Sequence, residues 1–262
     1  MHIDLKNKNA LVCGSTQGIG RASAIALAKA GANVTLAARN QTSLEQVKSE
    51  LPSDEGQQHG YLVADFQDPR GLADKVQHQL ETFEAFHILV NNTGGPPGGE
   101  IVSASVDEFE SAFTQHLKCN HLLTQALLPG MKSAQYGRII NVISTSVKQP
   151  LDGLGVSNTI RGAVASWAKT MANELGPFGI TVNNVLPGTT ATERLASIIQ
   201  NKADKTGKSV DEVAAAMKDS VPAKRFADPS EIASAIAFLA SDLASYINGI
   251  NLPVDGGRTK CL

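Results

Sequence analysis

Short apolar, β-branched runs alternate with amphipathic stretches along nearly the whole chain. Residues 10–14 (ALVCG) read as a buried strand, and the segment from about Gly18 to Ala30 as a helix that Gly31 stops. A second strand is predicted over 33–38 (NVTLAA), then a helix near 41–51 and a strand at 61–65 (YLVAD). A helix over 69–82, a strand over 87–92 (HILVNN), a Gly/Pro-rich loop at 94–99 and a long helix near 106–131 follow. Strand 138–144, helix 156–175, strand 180–188, helix 229–241 and strand 249–254 complete the series. Near-continuous apolar strands joined through helices by short links predict an α/β architecture. The sheet is expected to be seven-stranded, parallel and doubly wound, with helices on both faces and right-handed crossovers. No repeat, low-complexity tract or linker divides the chain, so a single domain over 1–262 is expected.

One interval breaks the rhythm. Between Pro187 and Pro229 lies ERLASIIQNKADKTGKSVDEVAAAMKD, polar and helix-prone, directly after the carboxyl end of a predicted strand. Ligands of open α/β sheets bind at that end. Residues 193–222 therefore read either as a substrate lid or as a surface helical hairpin. Lys202, Lys205 and Lys208 recur there at spacing three, placed to meet an anionic substrate or simply to solvate a helix face.

Charge and composition narrow the class. The 23 Lys and Arg nearly balance the 25 Asp and Glu, for a net −2 at pH 7, which leaves no electrostatic footprint for nucleic acid or an anionic membrane. With 42% apolar and 18% charged residues, disorder and coiled coil are excluded. Cys13, Cys119 and Cys261 form no close pair, which argues for a reducing compartment and against a disulfide framework or a metal site. No apolar run approaches the roughly 18 residues of a membrane span, and the start MHIDLKNKN carries charges where a signal peptide is apolar. The expected setting is the cytoplasm and the expected partner a small molecule.

The chemistry-bearing motifs follow the strands. The first strand runs into Gly14-Ser15-Thr16-Gln17-Gly18-Ile19-Gly20 and then a helix. Glycines there permit a tight turn and let backbone N–H groups approach a pyrophosphate at a helix N-terminus. Asn91-Asn92-Thr93-Gly94 ends the fourth strand, Asn141-Val142-Ile143-Ser144 the fifth and Pro187-Gly188 the sixth, and VDGG (254–257) follows the last. In this order the motifs resemble the short-chain dehydrogenase/reductase family, from about Lys6 to Gly257. RIINVIS, LGPFGITVNNVLPG, VPAKRFADPSEIA and SYINGINLPVDGG are similar to its 3-oxoacyl-(acyl carrier protein) reductase-like members.

The resemblance implies a Rossmann-type fold and a nicotinamide cofactor. It puts Gly14, Ser15, Thr16, Gly18, Ile19 and Gly20 around the cofactor diphosphate, Asp65 at the adenine, and Asn91 and Gly94 along the adenosine and ribose. Pro187, Gly188, Thr189 and Thr192 would hold the nicotinamide carboxamide and phosphates. It also implies a homotetramer or homodimer built from the helices near 106–131 and 156–175 and the C-terminal strand. NAD sites carry an acid at the end of the second strand for the ribose 2′-OH. Here that strand ends Ala37-Ala38-Arg39-Asn40, without a carboxylate, and Arg39 offers a planar fork for a 2′-phosphate. NADP, as NADPH, is therefore expected, although Gln17 stands where many NADP-binding relatives carry a base.

The catalytic pattern departs from the family. There a Tyr donates the proton to the carbonyl oxygen, a Lys four residues later lowers its pKa and holds the ribose, a Ser orients the carbonyl, and an Asn supports a water relay. The i, i+4 spacing keeps Tyr and Lys on one helical face. In this chain RGAVASWAKTMANEL (161–175) places Arg161 at the Lys position and Ser157 at the Tyr position, and the segment around ALLPGM (126–131) places His116 at the Asn position. Ser144 remains. Tyr136, the nearby tyrosine, precedes the fifth strand and is expected on the wrong side of the fold. Ser is a far weaker acid than a phenol, Arg161 is a lasting cation, and His116 has an ordinary pKa suited to proton transfer. Two readings fit: an NADPH-dependent oxidoreductase with an atypical set (Ser144, Ser157, Arg161, His116), or a lapsed nucleotide- or partner-binding protein. A lyase or isomerase on this scaffold has no motif in its favour.

Overall fold

The computed structural model describes residues 2–81 and 85–261. Seven strands form one sheet: β1 (Asn9–Cys13), β2 (Asn33–Ala38), β3 (Gly60–Val63), β4 (Ile88–Asn91), β5 (Gly137–Val142), β6 (Ile180–Pro187) and β7 (Asn251–Val254). Their order is β3-β2-β1-β4-β5-β6-β7, every pair parallel. The doubly wound sheet expected from the alternation is the one observed. The predicted helix over 69–82 is found as Pro69–Leu80, and its expected last residue lies outside the described residues.

Alternate strand residues enter two separate cores, because successive side chains of a strand point to opposite faces. Ala10 and Val12 of β1 and Ile88 and Val90 of β4 join the core beneath α1 (Gly18–Lys29), α2 (Gln41–Glu50) and, near the C-terminus, the helix over 229–240. Leu11 and Cys13 of β1 and Leu89 of β4 face the opposite core, built with α3 (Pro69–Leu80) and the helices over 119–133 and 155–175. Burial on both faces is why the strands read as apolar runs without alternation.

The expected helix over 106–131 is an α-helix in two parts, α4 (Val106–Phe113) and α5 (Cys119–Ser133), joined by a π turn over Thr114–Lys118. Sequence periodicity at this resolution does not distinguish a five-residue π turn from α-helix. Such bulges re-aim side chains, often at functional sites, and here the turn carries His116. Beyond it lie α6 (Gly155–Leu175), α7 (Glu193–Thr206), α8 (Val210–Asp219) and α9 (Pro229–Ala240).

The interval 193–222 is a helical hairpin. Gly207 ends α7 with a positive φ of 68°, and a Ser209–Glu212 capping box starts α8. The hairpin carries its own small core of Leu195, Ile199, Ala203 and Val213, joined by Met217 and Phe226. Lys202, Lys205 and Lys208 lie on its exposed surface, away from that core.

A row of asparagines, buried at Asn91, Asn141 and Asn184 and half-buried at Asn251, crosses the sheet from the end of β4, through the penultimate residue of β5 and the middle of β6, to the start of β7. Asn91, Asn141, Asn184 and Asn251 stand in register across β4, β5, β6 and β7. Asn91 Nδ2 donates to Asn141 Oδ1 (2.9 Å), Asn141 Nδ2 to Asn184 Oδ1 (2.9 Å) and Asn184 Nδ2 to Asn251 Oδ1 (2.8 Å). Leucine has nearly the size of asparagine but would orphan a donor on Asn141 and an acceptor on Asn251. Each orphan costs about 1–3 kcal/mol. Asn184→Leu is therefore expected to lower the unfolding free energy by about 2–4 kcal/mol in denaturant titrations with an unchanged slope. A loss under about 0.5 kcal/mol would show that the row does not hold the strand register.

Candidate active site

The glycine loop between β1 and α1 is a cradle with no room for a side chain at Gly14 or Gly20. Gly14 has φ +59°, and a Cβ there would lie 2.2 Å from the Asn92 carbonyl oxygen. A Cβ on Gly20 would lie 2.1 Å from the Gly14 carbonyl oxygen. Asn92 Nδ2 braces the turn from β4 by donating to the Cys13 and Gly14 carbonyls, both at 3.3 Å. Ser15 is fully buried, whereas Thr16 and Ile19 are partly accessible. Gln17, the N-cap of α1, makes no side-chain cap, and the first turn holds no acid, so its N–H groups are left for an anion.

Other residues expected at a cofactor surround this cradle. Thr192 caps α7 by accepting from Leu195 N (3.3 Å), and its methyl group lies 3.1 Å from where a Gly18 Cβ would be. Pro187, Gly188 and Thr189 follow β6, and Gly188 packs against the Asp255 backbone so closely that a Cβ would meet it at 2.7 Å. Asn91 Oδ1, the open end of the asparagine row, is buried and accepts no hydrogen bond. Gly94 faces open space. Arg39 is exposed at the end of β2, and its guanidinium pairs with no carboxylate among the described residues. Asp65, exposed after β3, is turned onto its own loop, where it accepts from Gln67 N (2.9 Å).

The four candidate catalytic residues converge beyond the ends of β4 and β5. Ser144 starts the short turn after β5, its Oγ accepting from Ser146 N (3.1 Å). Ser157 and Arg161 share one buried face of α6, which packs against that turn. Arg161 Nη1 donates to the Val142 carbonyl (2.7 Å), two residues before Ser144, while its buried Nε has no partner. Burial, and then the neighbouring Arg194 charge, push the Arg161 pKa down to about 10, which still leaves it cationic at neutral pH.

His116 is 3% exposed, so it is neither a helix-surface nor an open interface residue in this chain. Its Nδ1 shares a 2.7 Å hydrogen bond with Thr93 Oγ1, and its Nε2 is buried without a partner. Burial, then the Arg161 charge, push its pKa down to about 2, against a weaker opposing contact with the Gly94 backbone. A cavity of about 240 Å³ adjoins it, between the loop of Gly95, Pro96 and Pro97 and the acidic start of α4. Tyr136 lies at the amino end of β5, buried, with its hydroxyl donating to Ala240 O (2.6 Å). The expected placement away from the carboxyl edge holds.

Two contributors escape a reading of the sequence alone. Thr93 lies inside a quoted motif, but its bond to His116 depends on the π turn. Arg194 sits in the first turn of α7 and donates through Nη2 to the Pro96 carbonyl at 2.6 Å, bridging the hairpin to the Gly/Pro-rich loop. The only sequence signal for it is a basic residue just after Thr192.

With this geometry in hand, the relatives are informative. A family model described as enoyl-(acyl carrier protein) reductase matches residues 14–259. A cyclohexanol dehydrogenase of Rhodococcus sp. is 34% identical, with 98% of each chain covered. The 3-oxoacyl-(acyl carrier protein) reductase FabG of Haemophilus influenzae is 34% identical over 97% of this chain and 98% of its own. The crystal structure of L-sorbose reductase from Gluconobacter frateurii, complexed with NADPH and L-sorbose, superposes with a TM-score of 0.94 at 31% identity, covering 100% of both chains. This chain belongs to the short-chain dehydrogenase/reductase family and is an oxidoreductase.

The buried imidazole has a stability signature. Below its ordinary pKa of 6.5 the unfolded chain binds a proton at His116 that the folded chain does not. The stability is fully present above that value and falls with pH, by about 2 kcal/mol at pH 5. His116→Asn is expected to remove about that much of the fall in unfolding free energy between pH 7.5 and pH 5. An unchanged pH slope would mean that the folded chain protonates His116.

Proposed function

We propose that the chain is an NADP(H)-dependent oxidoreductase exchanging hydride with a small carbonyl or activated-alkene substrate, similar to the 3-oxoacyl reductases. One observation carries this reading: the anion-accepting cradle after β1 and the corner of Ser144, Ser157 and Arg161 after β5 share the carboxyl edge of one sheet, on either side of β4. Open α/β sheets bind ligands along that edge.

The residues present suit a dinucleotide. The cradle of Gly14, Ser15, Thr16, Gly18, Ile19 and Gly20 and the bare start of α1 would hold a diphosphate, and the unpaired Arg39 a 2′-phosphate. Asp65, Asn91 and Gly94 would meet the adenosine side, and Pro187, Gly188, Thr189 and Thr192 the nicotinamide side. The bound nicotinamide would supply or accept hydride. The NADPH carried by the L-sorbose reductase structure supports the same cofactor here.

The substrate oxygen would accept a hydrogen bond from Ser144 Oγ. Arg161 would hold the ribose hydroxyls and place its charge beside the oxygen on which negative charge develops. Ser157, one helical turn before Arg161, would line the pocket where the family carries its phenol, too weak an acid to take over proton donation. His116, neutral and paired with Thr93, would keep the loop bearing Gly94 in place. The hairpin over 193–222 acts as a lid in this single domain, with Arg194 as its contact to the opposite loop. Association into a homodimer or homotetramer is supported by exposed Val106 (70%) and Phe113 (46%) on α4.

Thermal unfolding tests the cofactor. NADPH is expected to raise Tm more than NADH, and Arg39→Asp to weaken NADPH at least about tenfold while sparing NADH, a loss in the range of one charge-assisted contact. Equal stabilisation by both cofactors, or a preference untouched by Arg39→Asp, would defeat the assignment. Turnover of NADPH with β-ketoacyl, quinone and enoyl substrates that vanishes in Ser144→Ala would support the reaction. No turnover in the native chain, with activity gained in Ser157→Tyr/Arg161→Lys, would defeat it.

A further inference from the structure

Two arginines point at one place in the site, and neither has a carboxylate partner. Arg161 Nη2 lies 3.7 Å, and Arg194 Nη2 3.9 Å, from the point a Cβ would occupy on Gly95. Among the described residues no acidic side chain forms an ion pair with either guanidinium. Asp107 and Glu108 line the cavity on the α4 side of the Gly95–Pro97 loop, and Glu108 is engaged in capping its own helix. Arg161 is 92% buried by its 8% exposure, with Nε unpartnered.

Two like charges in a partly dehydrated site repel, and the depressed Arg161 pKa records that repulsion after the larger effect of burial. A buried cation normally finds a counter-charge. The other buried arginine described, Arg138, does so: it meets Asp242 at 3.4 Å. A neutral ketone would leave the buried Arg161 charge, with the exposed Arg194 beside it, without a counter-charge. A planar carboxylate matches the guanidinium fork in shape as well as charge.

We infer that the substrate is a carboxylate-bearing carbonyl or alkene compound, its carboxylate held at Gly95 by Arg194 and Arg161. The inference rests on the oxidoreductase reading for the reacting group but concerns the binding of an anion. Arg194 supplies the contact from the lid and Arg161 the buried second charge. Closure of the hairpin and recognition of the anion thereby become one event, because the guanidinium that reaches Pro96 is carried by α7.

The test is calorimetric binding to the full chain, alone and saturated with NADP, using acetoacetate, its methyl ester and methyl phosphate. Acetoacetate is expected to bind at least about tenfold tighter than the ester, the worth of one charge-assisted hydrogen bond. Arg194→Gln is expected to erase that difference while changing the NADP Kd less than about twofold, a change too small for a lost phosphate contact. Equal binding of acid and ester would overturn the inference. Tighter binding of methyl phosphate would overturn the carboxylate assignment, and Arg194→Gln that weakens NADP as much as acetoacetate would reassign the arginine to the cofactor diphosphate. Failure of NADP to bind at all would instead sink the oxidoreductase reading, while the titrations without NADP still decide the anion site.

Discussion

The register of the sheet from β4 to β7 depends on a line of asparagine amides. Asn251, Asn184, Asn141 and Asn91 pass a hydrogen bond from β7 to β4, and the next residue, Asn92, continues across to the Cys13 and Gly14 carbonyls at the end of β1. Parallel backbone ladders hold strands side by side but tolerate a slip of register that is less forgiving when each step must also satisfy a buried amide. The row therefore fixes the register of β4 to β7, and with it the ends of β4 and β5 beside which the glycine cradle and the Ser144 turn are mounted. Its spare acceptor, Asn91 Oδ1, is buried and meets no donor.

Beside the end of β4 the cradle follows by steric exclusion. Gly14 approaches Asn92, and Gly20 approaches Gly14, too closely for any side chain, so this packing of the loop against β4 requires glycine at both positions. The first turn of α1 is thereby aimed at the crevice with its N–H groups free. On the far side of β4, α6 delivers Ser157 and Arg161 one turn apart, and the Val142 carbonyl fixes the guanidinium relative to Ser144. A buried arginine is expensive to desolvate, and a single carbonyl offsets only part of that cost. The remainder is a stored demand for anionic or oxygen-rich ligands.

Much of the fold was legible because both faces of the sheet are covered. Strand runs such as HILVNN and RIINVIS are apolar on both sides, and Gly31 and Pro229 mark helix ends that the structure keeps close by. The site was legible as far as motifs carry position: Ser157 and Arg161 are found on one face because spacing four fixes that on any α-helix. The asparagine row was not legible, since a cross-strand amide pair needs a register that no single strand encodes. The π turn was not either, so the bond between Thr93 and His116 could not be anticipated. Arg194 looks like an ordinary polar residue of an exposed helix, and only the approach of the Pro96 loop gives it a role.

With a hydroxyl and a guanidinium at the proposed positions of the family's phenol and ammonium, the site would assist a different step. A positioned general acid contributes about 10²–10⁴-fold, and one preorganised group facing a developing oxyanion about 10²–10³-fold. The two effects are comparable, so a site can lose proton donation and keep much of its advantage where charge on oxygen is the obstacle. In the proposed reaction Arg161, buried and cationic with pKa about 10, would stabilise that charge without giving up a proton. An alkoxide of high basicity gains little from such an arrangement if no proton follows promptly. An enolate is less basic and can wait for a proton from water at carbon or oxygen. If Ser144 and Arg161 act as proposed, acceptors whose reduced form is a stabilised oxyanion, above all activated alkenes, would be favoured over simple ketones.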